Sequence, residues 1–398
     1  MRLALITLHT PTETNLRGAS ALPYHLLAFR PKDVEVEIWS FNLNRCSEEQ
    51  VKRSEKELGV KINLIPRQKY MRFLHPAPVR LVLPKPMLAY LALSKSTISE
   101  INKFWGEDSK ELWIYGEDIA HLANEFKGVP IVITTPDCEA MYYHRVLETK
   151  GIPISKKAIV RYSLMYHRYA KTASNYPTGD KITYHLVGKE DTLCFKRLNP
   201  KATAVFINHP HYSLSKFKPA AIKPGEKIKL LIAGANNFTM AQAADEAFEA
   251  MATLPQTIKD SYLITFLGSG WDKSADMLRS SGFEVEMKGY VEDYAAEVAS
   301  HHIQLTPICV GTGTKGKVLD AFANGLMVIG TPLALENIAA RRGSECIEYT
   351  TGDELTEVLI ELSRNPTRIS EIAKAGKEAV LTKHSRQKVA DTFFSLFE

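Results

Sequence analysis

The chain is 398 residues long, room for about two domains with a core each. Hydrophobic residues make up 45% and charged residues 24%, as in ordinary globular proteins, and no stretch nears the ~20 apolar residues that cross a bilayer. The net charge is only +5, and five scattered cysteines with no CxxC pair exclude a disulfide framework or a zinc site and fit a reducing compartment.

The opening MRLALITLH turns polar too soon for a signal peptide and reads as a first buried strand over residues 2–8. A loop containing Gly18 and Ala19 leads to a helix over about 19–28, then a strand over 34–39, a helix over 48–58 and a strand over 61–65. Next comes a basic segment. Residues 1–212 hold 30 Lys and Arg against 21 Asp and Glu, the rest of the chain 20 against 24, and residues 58–99 carry seven bases and no acid. Arg67, Lys69 and Arg72 alternate there with Tyr70, Met71 and Phe73. That mixture suits an anionic membrane surface or a lipid-linked phosphate; the competing reading is a solvated, proline-broken loop beside a core helix. No nucleic-acid motif accompanies it, which argues against DNA or RNA as a partner.

A helix over 94–104, a strand over 112–115, a short helix over 118–126 and a strand over 130–135 follow. A long helix over 156–172, a strand over 181–187, a helix over 189–197 and a strand over 204–207 complete a βα series, which predicts a parallel, doubly wound sheet. Such sheets keep their ligands at the C-terminal ends of the strands. Glu117, after the strand at 112–115, and Asp137, after the strand at 130–135, fall at such ends; His144 and Arg145 follow in the same segment. Asp137 reads equally as a helix N-cap.

Residues 212–227, with two prolines, a glycine and four lysines, read as a linker, after which the βα grammar restarts. A strand over 229–233 ends at Gly234, a helix covers 241–252, a strand 262–267, a helix 273–280, a strand 283–287 and a helix 294–299. A strand over 303–306 then enters a loop with Gly311, Thr312, Gly313, Thr314, Lys315 and Lys317, followed by a helix over 318–323 and a strand over 327–330. Glycines let backbone approach an anion closely, a helix N-terminus offers unpaired N–H groups, and two lysines add charge. This is the construction of a phosphate or diphosphate cradle. No GxxxxGK[ST] and no GxGxxG after the first strand is present, so neither a P-loop ATPase nor a standard NAD enzyme is indicated. Helices over 353–362, 369–380 and 387–397 close the chain.

The stretch GYVEDYAAEVASHHIQLTPICVGTGTKGKVLDAFANGLMVIGT resembles the phosphate-loop block of the family-4 retaining glycosyltransferases of GT-B fold, and LLIAG and FLGSGWD resemble the opening of their donor domain. The resemblance is strong over about 229–340, fair over 181–211 and weak before that. It implies two Rossmann-like domains facing a cleft: an acceptor-binding domain over 1–212, on which a C-terminal helix of about 385–398 packs back, and a nucleotide-sugar domain over 213–384. It implies that Gly234, Gly268, Gly270, Tyr290 and the Gly311–Thr314 loop hold the donor, and that Lys315 and Lys317 neutralise the leaving diphosphate. Asp320 stands where the family's ribose-binding Glu does. The Gly18–Ala19 turn resembles the glycine loop that faces the diphosphate or acceptor from the N-terminal domain, and the segment from Pro136 to Arg145 resembles one in cell-envelope sugar transferases. Two departures stand out: the family's first Glu falls at Thr312, and Asn236 and Asn237 replace its Arg-and-Lys diphosphate clamp.

The reading is a cytoplasmic glycosyltransferase, possible at the inner face of the membrane, that moves a sugar from a UDP or GDP donor to a lipid-linked or oligosaccharide hydroxyl in surface-glycan synthesis. Retention of configuration is expected. The catalytic candidates are Asp137, Lys315 and Lys317; Gly18, Ala19, Glu117, His144 and Arg145 are the acceptor candidates, and Arg67, Lys69, Arg72 and Phe73 the membrane ones. No DxD signature is present and the histidine pairs lack metal-ligand spacing, so no metal or other cofactor is expected. The alternatives are an inverting transferase on the same fold, with Asp137 or Glu117 as base, and a GT-B scaffold that binds nucleotide or glycan without catalysis.

Overall fold

The first strand, RLALIT, is apolar on both faces, which is what a strand covered by helices on both sides requires. In the computed structural model, which describes residues 1–66, 68–107, 109–152, 154–213 and 216–397, the chain forms two compact units, each with one such sheet. The first comprises 1–147, 156–210 and 386–398. The second comprises 148–155 and 211–385. The short insert 148–155 thus groups with the second unit, where Gly151 backs so closely onto Gln242 that a Cβ would lie 2.6 Å from its amide nitrogen.

The first unit runs β1 (Arg2–Thr7), α1 (Ala21–Ala28), β2 (Glu35–Ser40), α2 (Glu48–Leu58), β3 (Lys61–Leu64), and the short α3 (Met71–Leu74) and α4 (Ala77–Val82). It continues with α5 (Lys95–Trp105), β4 (Lys110–Tyr115), β5 (Ile131–Thr134), α6 (Glu139–Glu148), α7 (Lys156–Ala173), β6 (Ile182–Leu186), α8 (Lys189–Leu198) and β7 (Thr203–Phe206). The seven strands pair in parallel in the order β3-β2-β1-β4-β5-β6-β7. Helix α2 shows why its ends fall where they do: Ser47 and Gln50 form a reciprocal capping box, and Gly59 ends it in the left-handed conformation. Residues 117–125, expected as a helix, are wound more tightly as 3-10 turns, with the His121 ring held 2.8 Å from the Leu91 carbonyl.

The second unit runs β8 (Ile228–Ala233), α9 (Ala241–Ala252), α10 (Gln256–Lys259), β9 (Tyr262–Leu267), α11 (Asp272–Ser280), β10 (Glu284–Lys288) and α12 (Tyr294–Ala299). Then come β11 (Ile303–Thr306), α13 (Gly316–Ala323), β12 (Met327–Gly330), β13 (Ile347–Glu348), α14 (Gly352–Arg364) and α15 (Thr367–Lys383). Its strands are parallel in the order β10-β9-β8-β11-β12-β13. The last helix, α16 (Arg386–Phe394), belongs to the first unit: Arg386 lies over the Phe29 ring at 4.8 Å, and Phe393 packs 4.6 Å from Trp113.

Both sheets reverse direction once. In the first the chain leaves β1 toward β2 and β3 and returns to β4 on the other side; in the second it leaves β8 toward β9 and β10 and returns to β11. Loops on either side of such a reversal splay apart and leave a crevice at the C-terminal ends of the strands. The loops after β1 and β4, and after β8 and β11, are therefore where each unit is built to hold something.

Candidate active site

In the second unit three loops converge at the reversal. The β8 loop makes a bend at Gly234 (φ +102°), and the β9 loop crosses it at Gly268 (φ +138°). A Cβ on Gly268 would lie 2.5 Å from the Gly234 carbonyl oxygen, so this crossing admits only glycine. Trp271, fully buried, donates its indole N–H to the same carbonyl at 2.7 Å. Asn236 ties the loops together, its backbone N–H donating to the Ser269 carbonyl at 2.9 Å and its side-chain amide to the Gly270 carbonyl at 3.2 Å. Asn237 turns inward on its own loop, accepting the Thr239 N–H at 3.0 Å. The third loop, after β11, is stitched on through Thr239, whose carbonyl accepts the N–H groups of Cys309 and Val310 at 2.9 and 3.3 Å. Sequence motifs separated by some 80 residues thus form one glycine-lined edge. Tyr290, in the loop after β10 on the same edge, stands 92% exposed.

The two lysines lie differently. Lys317, in the first turn of α13, reaches back under the β8 loop: its ammonium lies 3.5 Å from the Ala233 carbonyl and 2.9 Å from the Met240 sulfur. Burial pushes its pKa down to about 8. An apolar pocket that desolvates a lysine beside a glycine turn holds a charge that an incoming anion would satisfy. Lys315 folds onto its own loop, donating to the carbonyls of Thr312 and Gly313 at 3.1 and 2.9 Å, with the Glu336 carboxylate 3.8 Å away. Glu336 escapes sequence reasoning because it lies in the loop after β12, with no spacing signal linking it to Lys315.

Asp320 sits one turn along α13 and clasps the segment by which the chain enters this unit. Its carboxylate accepts the Tyr212 N–H at 3.3 Å and a backbone hydrogen bond from Ser213, while the Ser213 hydroxyl bonds to the Asn324 side chain at 2.6 Å. Burial raises its pKa to about 6 against those hydrogen bonds. The Asp320 carboxylate is thus engaged by backbone.

In the first unit the β1 loop brings Gly18 (φ +151°) over the His9 ring, so closely that a Cβ would lie 2.5 Å from its Nε2. Asn15 accepts the N–H groups of Ser20 and Ala21 at 3.1 and 3.0 Å, which seats the start of α1 beside Ala19. His9, the residue that follows the strand end, was not among the expected site residues; its position two residues past a buried apolar run was the available signal. After β4, Glu117 is buried. One oxygen accepts the Glu139 N–H at 3.0 Å, supporting the first turn of α6, and the other has no hydrogen-bond partner among the described residues. Desolvation, reinforced by the charges of Glu139, Asp118 and Asp137, holds its carboxyl protonated far above the usual range. Desolvation raises Asp118 to about 6 against a hydrogen bond from Tyr169, and desolvation with the charges of Asp137, Asp118 and Asp191 raises Glu139 to about 8. Asp137, half-buried, joins this cluster, and the Tyr115 hydroxyl is raised by burial with the charge of Asp137 added. His144 and Arg145 follow on α6, half-buried, with the His144 ring 5.3 Å from Tyr166.

Lys69, Arg72 and Phe73 are exposed, with Arg72 stacked on Phe73 at 4.7 Å; Arg67 lies outside the described residues. Phe73 is 62% and Val82 79% exposed, and Leu81, Ile159 and Val160 are exposed with them. Arg168 of α7 joins the two elements that carry these side chains, donating to the carbonyls of Arg80 and Leu81 at 2.7 and 2.5 Å. No helix among the described residues is long and apolar enough to cross a membrane. A depression of about 870 Å³ lined by charged residues such as Arg30, Glu35 and Lys61 lies at the starts of β2 and β3, the sheet edge remote from the ligand-holding loops.

Residues 245–395 match the glycosyl transferase-like family. No curated protein matches the chain by sequence. Among solved structures, the sucrose-phosphate synthase of Thermosynechococcus elongatus superimposes with a TM-score of 0.65 at 12% identity, over 100% of this chain and 98% of that one. The Anabaena protein HepE, in complex with UDP, gives 0.63 at 10% identity over 99% of both chains. WaaG, a glycosyltransferase involved in lipopolysaccharide biosynthesis, gives 0.59 at 14% identity over 98% of this chain and 99% of that one. The fold is therefore GT-B, and residues 245–395 within it match a glycosyl transferase-like domain.

Proposed function

We propose that this protein transfers a hexosyl group from a nucleoside-diphosphate sugar to a hydroxyl of a lipid-linked or oligosaccharide acceptor. The observation that carries the reading is the glycine-lined edge at the β8/β11 reversal, with the desolvated Lys317 beneath it and Lys315 on its rim. Its loops present backbone at close approach and α13 points its N-terminus at them, the chemistry that holds a diphosphate. Structures similar to this one have been solved with UDP and with UDP-glucose, which supports a uridine donor.

In this reading Gly234, Asn236, Asn237, Gly268, Gly270, Gly311, Thr312, Gly313 and Thr314 bind the donor, and Tyr290 covers it from the neighbouring loop. Lys317 and Lys315 stabilise the charge that develops on the departing diphosphate. Lys315 must exchange its loop carbonyls and Glu336 for phosphate oxygens, a side-chain rotation only. The departing diphosphate accepts the proton of the acceptor hydroxyl on the face it leaves, so configuration is retained without a separate base. Gly18, Ala19, Asp137, His144 and Arg145 belong to the acceptor, and Glu117 supports α6 from behind. The basic and apolar surface of α3, α4 and the start of α7 suits an anionic membrane face, where a lipid-linked acceptor resides.

A second reading, binding without catalysis, is favoured by Thr312 at the first acidic position and by the engagement of Asp320 with Tyr212 and Ser213. One pair of measurements separates them. Thermal unfolding with UDP, GDP, ADP, CMP or TDP is expected to show a metal-independent shift with one diphosphate. The matching sugar nucleotide, incubated with undecaprenyl-linked or oligosaccharide acceptors, is expected to be consumed. A shift without consumption supports the scaffold; no shift with any nucleotide overturns the donor site and leaves a scaffold that binds glycan.

A further inference from the structure

Cys138 and Cys194 are 56 residues apart, with no motif to connect them. Asp191, on the first turn of α8, accepts the Cys138 backbone N–H at 2.8 Å and so pins the start of α6 against α8. Cys194 lies three residues further along α8, on the same face as Asp191. The consequence is that the two thiols meet and are hydrogen-bonded to each other. Cys138 is 1% exposed, whereas Cys194 is partly open to solvent. Arg197, one turn beyond, directs its guanidinium at the Cys194 sulfur.

We propose that Cys138 and Cys194 are a peroxide-responsive dithiol, with Cys194 as the reacting sulfur and Cys138 as the resolving one. The asymmetry of the pair assigns these roles. Hydrogen bonding from Cys138 and the charge of Arg197 bring the Cys194 thiol down to about 7, against burial and the nearby Asp191. Cys138, hydrogen-bonded to Cys194 and 1% exposed in the interior beside Glu117, is pushed the other way, while Cys194 is the sulfur a peroxide can reach from solvent. The Cys194 thiolate attacks one oxygen of hydrogen peroxide and the O–O bond breaks, giving a sulfenic acid and, with one proton, water. The Cys138 sulfur then attacks the sulfenic sulfur, its proton leaves with the hydroxyl as a second water, and a disulfide forms. Two thiols are oxidised and one peroxide is reduced.

The disulfide would fix the start of α6 to α8 covalently. Asp137 precedes Cys138, and Glu139, which follows it, is already held by Glu117, so oxidation would tighten this loop at the end of β5. The inference stands on the first unit alone and is independent of whether the second binds a nucleotide.

The test uses the full-length chain, reduced, freed of reductant, and treated with a small excess of hydrogen peroxide. Of five free cysteines, three are expected to remain titratable after denaturation. A non-reduced digest is expected to yield one linked pair, Cys138–Cys194, reversible with dithiothreitol. Cys194→Ser is expected to abolish the linkage, and Cys138→Ala to leave a sulfenic acid on Cys194 that dimedone traps. Melting temperatures of the reduced variants report whether either substitution disturbs the fold, and the wild-type digest decides independently of them. Five thiols remaining, or a linkage through another cysteine, overturns the proposal.

Discussion

At the C-terminal edge of the β8–β13 sheet the charged side chains nearest the chain reversal are lysines; at the matching edge of the β1–β7 sheet they are carboxylic acids, Glu117, Asp118, Asp137 and Glu139. Both edges desolvate these groups, and desolvation acts on them in opposite directions: it drives Lys317 toward its neutral form by lowering its pKa, and Glu139 and Glu117 toward theirs by raising it. A cation weakened by burial gains when an anion arrives, while a protonated carboxyl remains neutral beside a neutral sugar hydroxyl. Under the proposed function, one topology is furnished twice, once for a charged donor and once for an acceptor without charge at its reacting group.

The largest expected effect lies on the lysine edge. Lys315→Ala combined with Lys317→Ala is expected to lower donor turnover at least ~100-fold, the scale of losing one preorganised contact to developing charge. Initial rates on the sugar nucleotide measure it, and wild-type rates would remove these lysines from the mechanism. Glycine substitutions test the edges as scaffolds. Gly268→Ala drives a methyl into the Gly234 carbonyl at a left-handed φ and is expected to cost about 3 kcal/mol in urea unfolding. Gly18→Ala meets only the end of the His9 ring, which can swing aside, and is expected to cost less. Equal costs would mean that His9 is locked in place.

The sequence made the second unit's edge legible because its signal is local: glycines, lysines and an apolar strand within one short stretch. The lengths of β9, β11 and β12 could be read from their bounding turns for the same reason. What the stretch did not show is where its side chains point. Lys315 turns to Glu336, and Asp320 to Tyr212 and Ser213, through contacts that only the closed fold creates. In the first unit, Glu117 was legible as a residue at a strand end and Glu139 was not singled out, because nothing in a sequence marks a carboxyl as protonated. The basic segment gave no periodicity, since α3 and α4 are too short for one, and the His9–Gly18 contact joins a glycine the sequence marked to a histidine it did not.

Lys317→Met sharpens the comparison further. It is expected to abolish the diphosphate-induced thermal shift while raising the melting temperature of the free protein by a few degrees, because it replaces a desolvated charge with an apolar side chain of similar length. Diphosphate affinity in the wild type is expected to fall above pH 8, where Lys317 loses its proton, and to be flat there in the variant. Calorimetric titration between pH 7 and 9 reads both.

The smallest expected effect distinguishes the edges by sign. Glu139 ordinarily titrates at 4.5 and is raised to about 8 in the folded chain. Between those values the folded state holds a proton that the unfolded state has lost, so this contribution to stability is present at low pH and falls away as pH rises toward 8. Asp118 and Asp320, raised to about 6, and Glu111, raised to about 7, behave alike but are spent above those values, which leaves the approach to pH 8 to Glu139 and to Glu117, whose carboxyl burial also raises. Lys317 ordinarily titrates at 10.5 and is lowered to about 8. There the unfolded state holds the extra proton, so from pH 8 to 10.5 its contribution to stability rises. Melting temperature against pH is therefore expected to contain a falling limb that Glu139→Gln flattens and a rising contribution that Lys317→Met removes. If Glu139→Gln leaves the falling limb unchanged, the group the first unit keeps neutral is not the carboxyl on α6, and Glu117→Gln and Glu111→Gln then separate the carboxyl nearest the β1/β4 reversal from the one on β4.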